Sequence, residues 1–266
     1  MDKKIKGGNL KLEFNIGISN EINTRIRGIK DESEKVNNIF AWLNEEFEWV
    51  QTDYMERTVE ETLARKAGNC AEQAKVVEKV LTHIGIETRW ILEINSHPES
   101  MERQNFSLHL IETHGDFYSI FGWNHNDHRW LEYYNTHLKK WIPIDTAFGV
   151  LDINHWLEKR ISFARESIPT TQQIIPFCIV ALHTKRDVSE ILSKFYLIDQ
   201  FDTFYNGMLS KTTVWEEWKL VINKLTEVGI EAYSGNGNLH KYQNEIKCFN
   251  NLYLKLKQEI LTNNVI

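Results

Sequence analysis

The apolar residues of this sequence change their spacing between its first and second parts. From Asp31 to about Gly85 they recur at three- and four-residue steps, and from Thr88 to Asp145 they tend to alternate. The first spacing lays one stripe along a helix, the second one face along a strand. Helices first and strands second, with little interleaving, predict an α+β fold and not a parallel α/β sheet. Val36, Ile39, Phe40, Leu43, Phe47 and Val50 form the stripe of one helix. Thr58 precedes Glu61 by three residues, a capping-box signature for a short helix running to about Lys66. Gly68 breaks the chain. Another helix opens at Asn69-Cys70 and runs to His83, burying Ala74, Val77, Leu81 and Ile84, with Gly85 as its C-terminal cap.

Strands are predicted over residues 88–94, 107–112, 116–123, 128–134 and 139–145, the last two joined by a short polar turn. Residues 10–18 also alternate and predict a strand. Beyond 145 the pattern gives a helix over 153–161, a buried strand over 174–182, and two or three amphipathic helices within 187–262, broken near 234–237. The expected organisation is an N-terminal segment (1–30), a core (31–150) and a mainly helical C-terminal extension (151–266).

Acidic residues outnumber basic ones, giving a net charge of −6. A surface built to bind nucleic-acid phosphates is therefore not expected. No apolar run reaches the ~18 residues that a membrane-spanning helix needs. The first eight residues are basic, but no apolar signal core follows them, so the chain as written reads as cytoplasmic; export with a leader already removed is the alternative. The three cysteines, Cys70, Cys178 and Cys248, are far apart in sequence, and no disulfide framework is implied.

Each thiol must be judged by its surroundings. A lone cysteine is by default a small buried hydrophobe. Cys178, inside an apolar run, fits that description, and Cys248 carries no functional signal. Cys70 differs, because it opens a helix. A helix N-terminus offers partial positive charge and free N–H groups, which favour a thiolate and can hold an oxyanion. Such a nucleophile needs a histidine base held by a carboxylate or amide. If the turn joining the last two strands is centred between Thr136 and His137, Tyr134 faces Lys139, Glu132 faces Trp141, Trp130 faces Pro143, and His128 faces Asp145. Facing residues share one side of a sheet. The imidazole and the carboxylate would then be neighbours, either as chemistry or as an ordinary cross-strand ion pair.

Three segments resemble the transglutaminase-like superfamily: Gly68-Asn69-Cys70-Ala71-Glu72-Gln73-Ala74 with Leu81 to Arg89, then His128-Arg129-Trp130-Leu131-Glu132-Tyr133, then Trp141-Ile142-Pro143-Ile144-Asp145. The order Cys, His, Asp and the spacings of 58 and 17 residues are similar too. The resemblance covers about 31–150 and is of a bacterial type, since exported bacterial members with C-terminal extensions exist. It implies a papain-like core, with the cysteine helix packed on an antiparallel sheet that carries the other two residues. It implies Cys70 as nucleophile, His128 as general base and acid, and Asp145 as the group orienting His128. It further implies attack on an amide carbonyl of a peptide or protein substrate through a thioester, ending in hydrolysis, deamidation or acyl transfer, with no cofactor. A second oxyanion donor upstream of the cysteine is implied as well, and Gln51, Trp49 and Tyr54 are the candidates. Arg65 and Arg89 are expected to support the fold.

Two further readings stand beside this one. His125-x-x-His128 next to Asp127 suggests zinc, but a three-residue step on a strand points the rings to opposite faces, and no second cluster supplies ligands; no metal is expected. Trp123, Trp130 and His125 could line a groove for an extended peptide or glycan, whereas strand aromatics such as Trp130 and Trp141 equally suit a core. The alternative to an enzyme is a peptide- or glycan-binding module on the same fold.

Overall fold

The structure, a computed structural model, describes residues 16–50, 57–96, 125–163, 174–184, 187–234 and 239–263. The strands expected over 107–112 and 116–123 lie outside the described residues, as do Gln51, Tyr54 and Trp123.

Two helices open the chain, α1 (Ile16–Arg25) and α2 (Glu32–Glu46). The strand expected over 10–18 is thus helical from Ile16 onward. Asp31 caps α2, its carboxylate accepting from the Glu34 N–H at 2.8 Å. A short strand β1 (Glu48–Trp49) follows, then α3 (Val59–Arg65), β2 (Ala67–Gly68) and α4 (Cys70–His83). The capping box at Thr58 and Glu61 is present. Past α4 the Ile86 N–H donates to the Leu81 carbonyl, with Gly85 at φ +82, the cap that the sequence calls for.

A five-stranded antiparallel sheet follows, in the order β5-β4-β3-β6-β7, from β3 (Thr88–Ser96), β4 (His125–Asn135), β5 (Lys140–Ile144), β6 (Ile175–Thr184) and β7 (Asp187–Ile191). Helix α5 (Ile153–Arg160) lies between β5 and β6. After β7 come a π-helical turn (Phe195–Gln200) running into α6 (Phe201–Phe204), then the long helices α7 (Trp215–Tyr233) and α8 (Gln243–Asn263). This is the expected α+β arrangement. Besides α1 and the short β1 and β2, one further element differs: β7 falls where only helices were expected. Its residues are mostly exposed and carry little apolar signal, so nothing in their pattern marks a strand.

The alternation along β4 separates two apolar clusters. Leu131 and Tyr133 join Ile142 and Ile144 of β5 against Val36, Ile39 and Leu43 of α2 and Val77 and Leu81 of α4. Trp130, next to Leu131 in sequence and turned to the opposite face, joins Ile91, Trp156, Tyr196 and the apolar faces of α7 and α8. Each fully buried Leu, Ile or Phe contributes about 1.5–3 kcal/mol relative to exposure. The expected boundary at 150 lies between β5 and α5, and the sheet crosses it, because β3 pairs with β4 on one side and β6 on the other. Truncation at residue 150 is therefore expected to uncover Ile91, Leu92, Ile94 and Trp130 and to abolish cooperative thermal unfolding followed by circular dichroism. A cooperative melt of the 1–150 fragment would show that the core folds without β6.

Candidate functional site

Helix α4 sets the position of Cys70. Asn69 is its N-cap: the side-chain oxygen accepts from the Glu72 N–H at 3.0 Å, and Glu72 Oε2 accepts from the Asn69 N–H at 2.9 Å. Cys70 is thus the first helical residue, beside the free N–H groups of the first turn. Glu72 is fully buried and also accepts from the backbone N–H and the guanidinium of Arg57, both at 3.0 Å, so its charge is compensated. Just upstream, Gly68 is packed so closely that a Cβ there would lie 3.0 Å from both Glu72 Cβ and Thr62 Cγ2. A glycine is what lets the chain enter α4 at this point.

His128 and Asp145 meet, but by a register other than the expected one. Observed partners are Tyr134 with Trp141, Glu132 with Pro143 and Leu131 with Ile144, a shift of two residues. The loop occupies 136–139, one place later than expected, with Lys139 at φ +52 and the Leu138 N–H donating to Asn135 Oδ1 at 2.8 Å. An even shift preserves the face. His128 and Asp145 therefore stay on one side as diagonal neighbours, and His128 Nε2–H donates to Asp145 Oδ2 at 2.6 Å. Asp145 is itself fixed: it exchanges backbone hydrogen bonds with Val150, both 2.8 Å, and Oδ1 accepts from the Ala147 N–H at 3.0 Å. Gly149, at φ +65, closes that small loop.

The Cys70 side chain lies near His128, close enough to favour the charged ring. With Nε2 committed to Asp145, Nδ1 is the ring nitrogen available to the sulfur. His128 is buried. Burial opposes its charged form, but the Asp145 carboxylate, the nearby Cys70 sulfur and the hydrogen bond to Asp145 outweigh it, and the pKa is raised to about 10. Its folded pKa exceeds the unperturbed 6.5, so the imidazolium contributes stability that is complete below that value and lost as the pH rises through about 10.

The other two thiols are set apart. Burial pushes Cys178 up to about 12, and its S–H donates to the Thr226 carbonyl at 3.7 Å. Burial and then the Glu217 carboxylate raise Cys248. Cys70, like Cys248, is half-buried, whereas Cys178 is buried.

Among the other candidates, Trp49 pairs with Gly68 through the parallel β1–β2 contact, two residues upstream of Cys70, and is 50% exposed. Trp130 is no groove wall: it is fully buried against Trp156 and Tyr196, because its alternation turns it into the core. His125 opens β4, but its side chain lies outside the described residues. Arg89 pairs with Glu132 and Glu190 and covers Trp141, whereas Arg65 is exposed.

Residues that sequence reasoning passed over tie the site together. Gln73, one turn after Cys70, accepts from Thr146 Oγ1 at 2.8 Å and donates to the Gly68 carbonyl at 3.1 Å and the Glu48 carbonyl at 3.3 Å. It joins the cysteine helix to the Asp145 loop and to β1. The signal was a polar residue on an otherwise apolar helix face. Phe148 meets the His128 ring edge-on at 4.8 Å. Among the described residues no group of three or more His, Cys, Asp or Glu could hold a metal ion.

Replacing Asp145 with Asn removes both the charge and the strongest partner of Nε2. The His128 pKa is expected to fall by about two units or more, measured by NMR titration of the imidazole nitrogens. An unchanged value would mean that the carboxylate does not hold the proton.

A family model of the transglutaminase-like superfamily matches residues 20–146. A peptide-N(4)-(N-acetyl-beta-glucosaminyl)asparagine amidase of Debaryomyces hansenii is 57% identical over 30 residues, which are 11% of this chain and 8% of the amidase. A candidate cysteine protease from Cytophaga hutchinsonii overlays with a TM-score of 0.35 at 16% identity, covering 51% of this chain and 40% of that one. A Rad4–Rad23 complex bound to a 6-4 photoproduct UV lesion overlays with a TM-score of 0.37 at 10% identity, covering 91% and 52%. The chain thus spans about half or less of the length of each of these proteins. Over residues 20–146, just under half of its length, this chain is similar to the core of the transglutaminase-like superfamily, within an α+β fold.

Proposed function

We propose that this protein is a cysteine-dependent enzyme that attacks an amide carbonyl, in a peptide bond or a glutamine side chain, with Cys70 as nucleophile, His128 as acid and base, and Asp145 as its orienting partner. The observation that carries this reading is the 2.6 Å contact of the His128 ring with the Asp145 carboxylate, with Cys70 near the same ring at the start of α4. The partial exposure of the thiol supports turnover over a binding role, since a buried sulfur could not meet a substrate.

The chemistry follows from these contacts. The Cys70 thiolate adds to the carbonyl carbon. The oxyanion is held by N–H groups at the start of α4 and by a second donor from Trp49, Gln51 or Tyr54. The C–N bond breaks as His128 gives its proton to the leaving amine or ammonia, leaving a thioester on Cys70. His128, now neutral, takes a proton from water or an acceptor amine, whose attack releases the acyl group as a carboxylate or a new amide and restores the thiol. Asp145 stabilises the imidazolium in the first half and fixes the ring in both. The match to an asparagine amidase supports an amide as the bond attacked. A peptide or protein is the expected substrate.

Cys70→Ala is expected to abolish ammonia or amine release from a panel of glutamine- and asparagine-containing peptides, and to remove labelling by iodoacetamide at pH 6. Cys178→Ala is expected to change neither. Release that survives the loss of Cys70 would refute the proposal.

A further inference from the structure

A second carboxylate stands beside His128. Glu93 of β3 is the direct cross-strand partner of His128 on β4, so the two side chains emerge on the same face. Glu93 is fully buried, and no role in the chemistry falls to it. Left unpaired, it would offer the imidazolium an alternative to Asp145. It is instead occupied by α5: Arg160, itself buried, donates to Oε1 through Nη2 at 2.7 Å and Nε at 3.3 Å, and the Trp156 indole N–H donates to Oε2 at 3.2 Å. The same guanidinium covers the Phe148 ring at 4.2 Å, and Phe148 packs edge-on against His128. Charged or titratable groups thus reach the His128 surroundings from four elements: Cys70 on α4, Glu93 on β3, Arg160 on α5 and Asp145 after β5.

We infer that Arg160 is a positioning residue, which neutralises Glu93 and so keeps the His128 ring on Asp145 and Cys70. Residue 160 lies beyond the segment matched to the superfamily, so part of the support for the site comes from the C-terminal region. Removal of the guanidinium frees a buried carboxylate next to the imidazolium. The ring is drawn away from the sulfur, and the added negative charge disfavours the thiolate directly; both slow the same reaction. The inference rests on the proposed role of Cys70, and the test separates the two.

The readout is the rate of Cys70 alkylation by iodoacetamide at pH 7, followed by peptide mass, which needs no knowledge of the substrate. In Arg160→Met the rate is expected to fall about tenfold. In the double variant Glu93→Gln with Arg160→Met most of that loss is expected to return, because the carboxylate is gone, an outcome that a merely structural role for Arg160 would not produce. Arg160→Lys keeps the charge but loses the fork and the stacking on Phe148, and its rate is expected to fall clearly less than that of Arg160→Met. A parental rate in Arg160→Met, or a double variant as slow as the single one, overturns the inference. So does a tenfold loss in Arg160→Lys, which remains readable if Arg160→Met does not fold. If Cys70 of the parent reacts no faster than Cys248, the role of Cys70 fails; if it reacts faster and the Arg160 series stays flat, only the positioning role fails.

Discussion

A buried imidazolium needs a partner, and Asp145 is the partner that lets His128 carry charge inside the fold. Taking the ring out of water works against protonation, and the carboxylate held at hydrogen-bonding distance, with the nearby Cys70 sulfur, reverses that. Much of the surrounding structure serves this contact. The β4–β5 pairing brings the two residues to one face. The small loop from Asp145 to Val150 locks the carboxylate, and Gln73 ties that loop to the helix bearing the thiol. The capping box at Asn69 and the close packing at Gly68 then fix where the sulfur begins.

Neighbouring charges are arranged so as not to compete. Glu72, two residues after Cys70, is taken up by Arg57 and the α4 cap, and Glu93 by Arg160 and Trp156. In each case an anion that would otherwise disturb the thiol–imidazole pair is hydrogen-bonded on both oxygens. The elements doing this come from both sides of residue 150, where the chain passes from β5 to α5 and on to β6. The apolar clusters on either side of β4 make the same point through packing: Leu131 belongs to the N-terminal helices and Trp130 to the C-terminal ones.

The helices around the site were legible because their signals are local. Thr58 with Glu61, Asn69 before Cys70, and Gly85 after α4 each state a helix end through neighbours in sequence. What depends on distant pairing was less legible. The hairpin register came out two residues off because the position of a four-residue loop is decided by the Asn135 side chain and the left-handed Lys139, and the alternating pattern alone cannot tell a shift of two from none. The same-face relation of His128 and Asp145 survives for that reason. Strand β7 was missed because an exposed edge strand needs no apolar alternation. Gln73, Glu93 and Arg160 were missed because a buried polar residue is recognised only once its partner, 63 to 73 residues away, is in place.

The chemistry proposed for this core turns on a covalent bond that can be weighed. Incubation with glutamine- or asparagine-containing peptides, acid quenching and intact-mass analysis should reveal an adduct equal to the peptide acyl group, located on Cys70 and released by hydroxylamine as a thioester is. An adduct on another residue, or turnover with no acyl-enzyme under single-turnover conditions, would contradict nucleophilic attack by this sulfur.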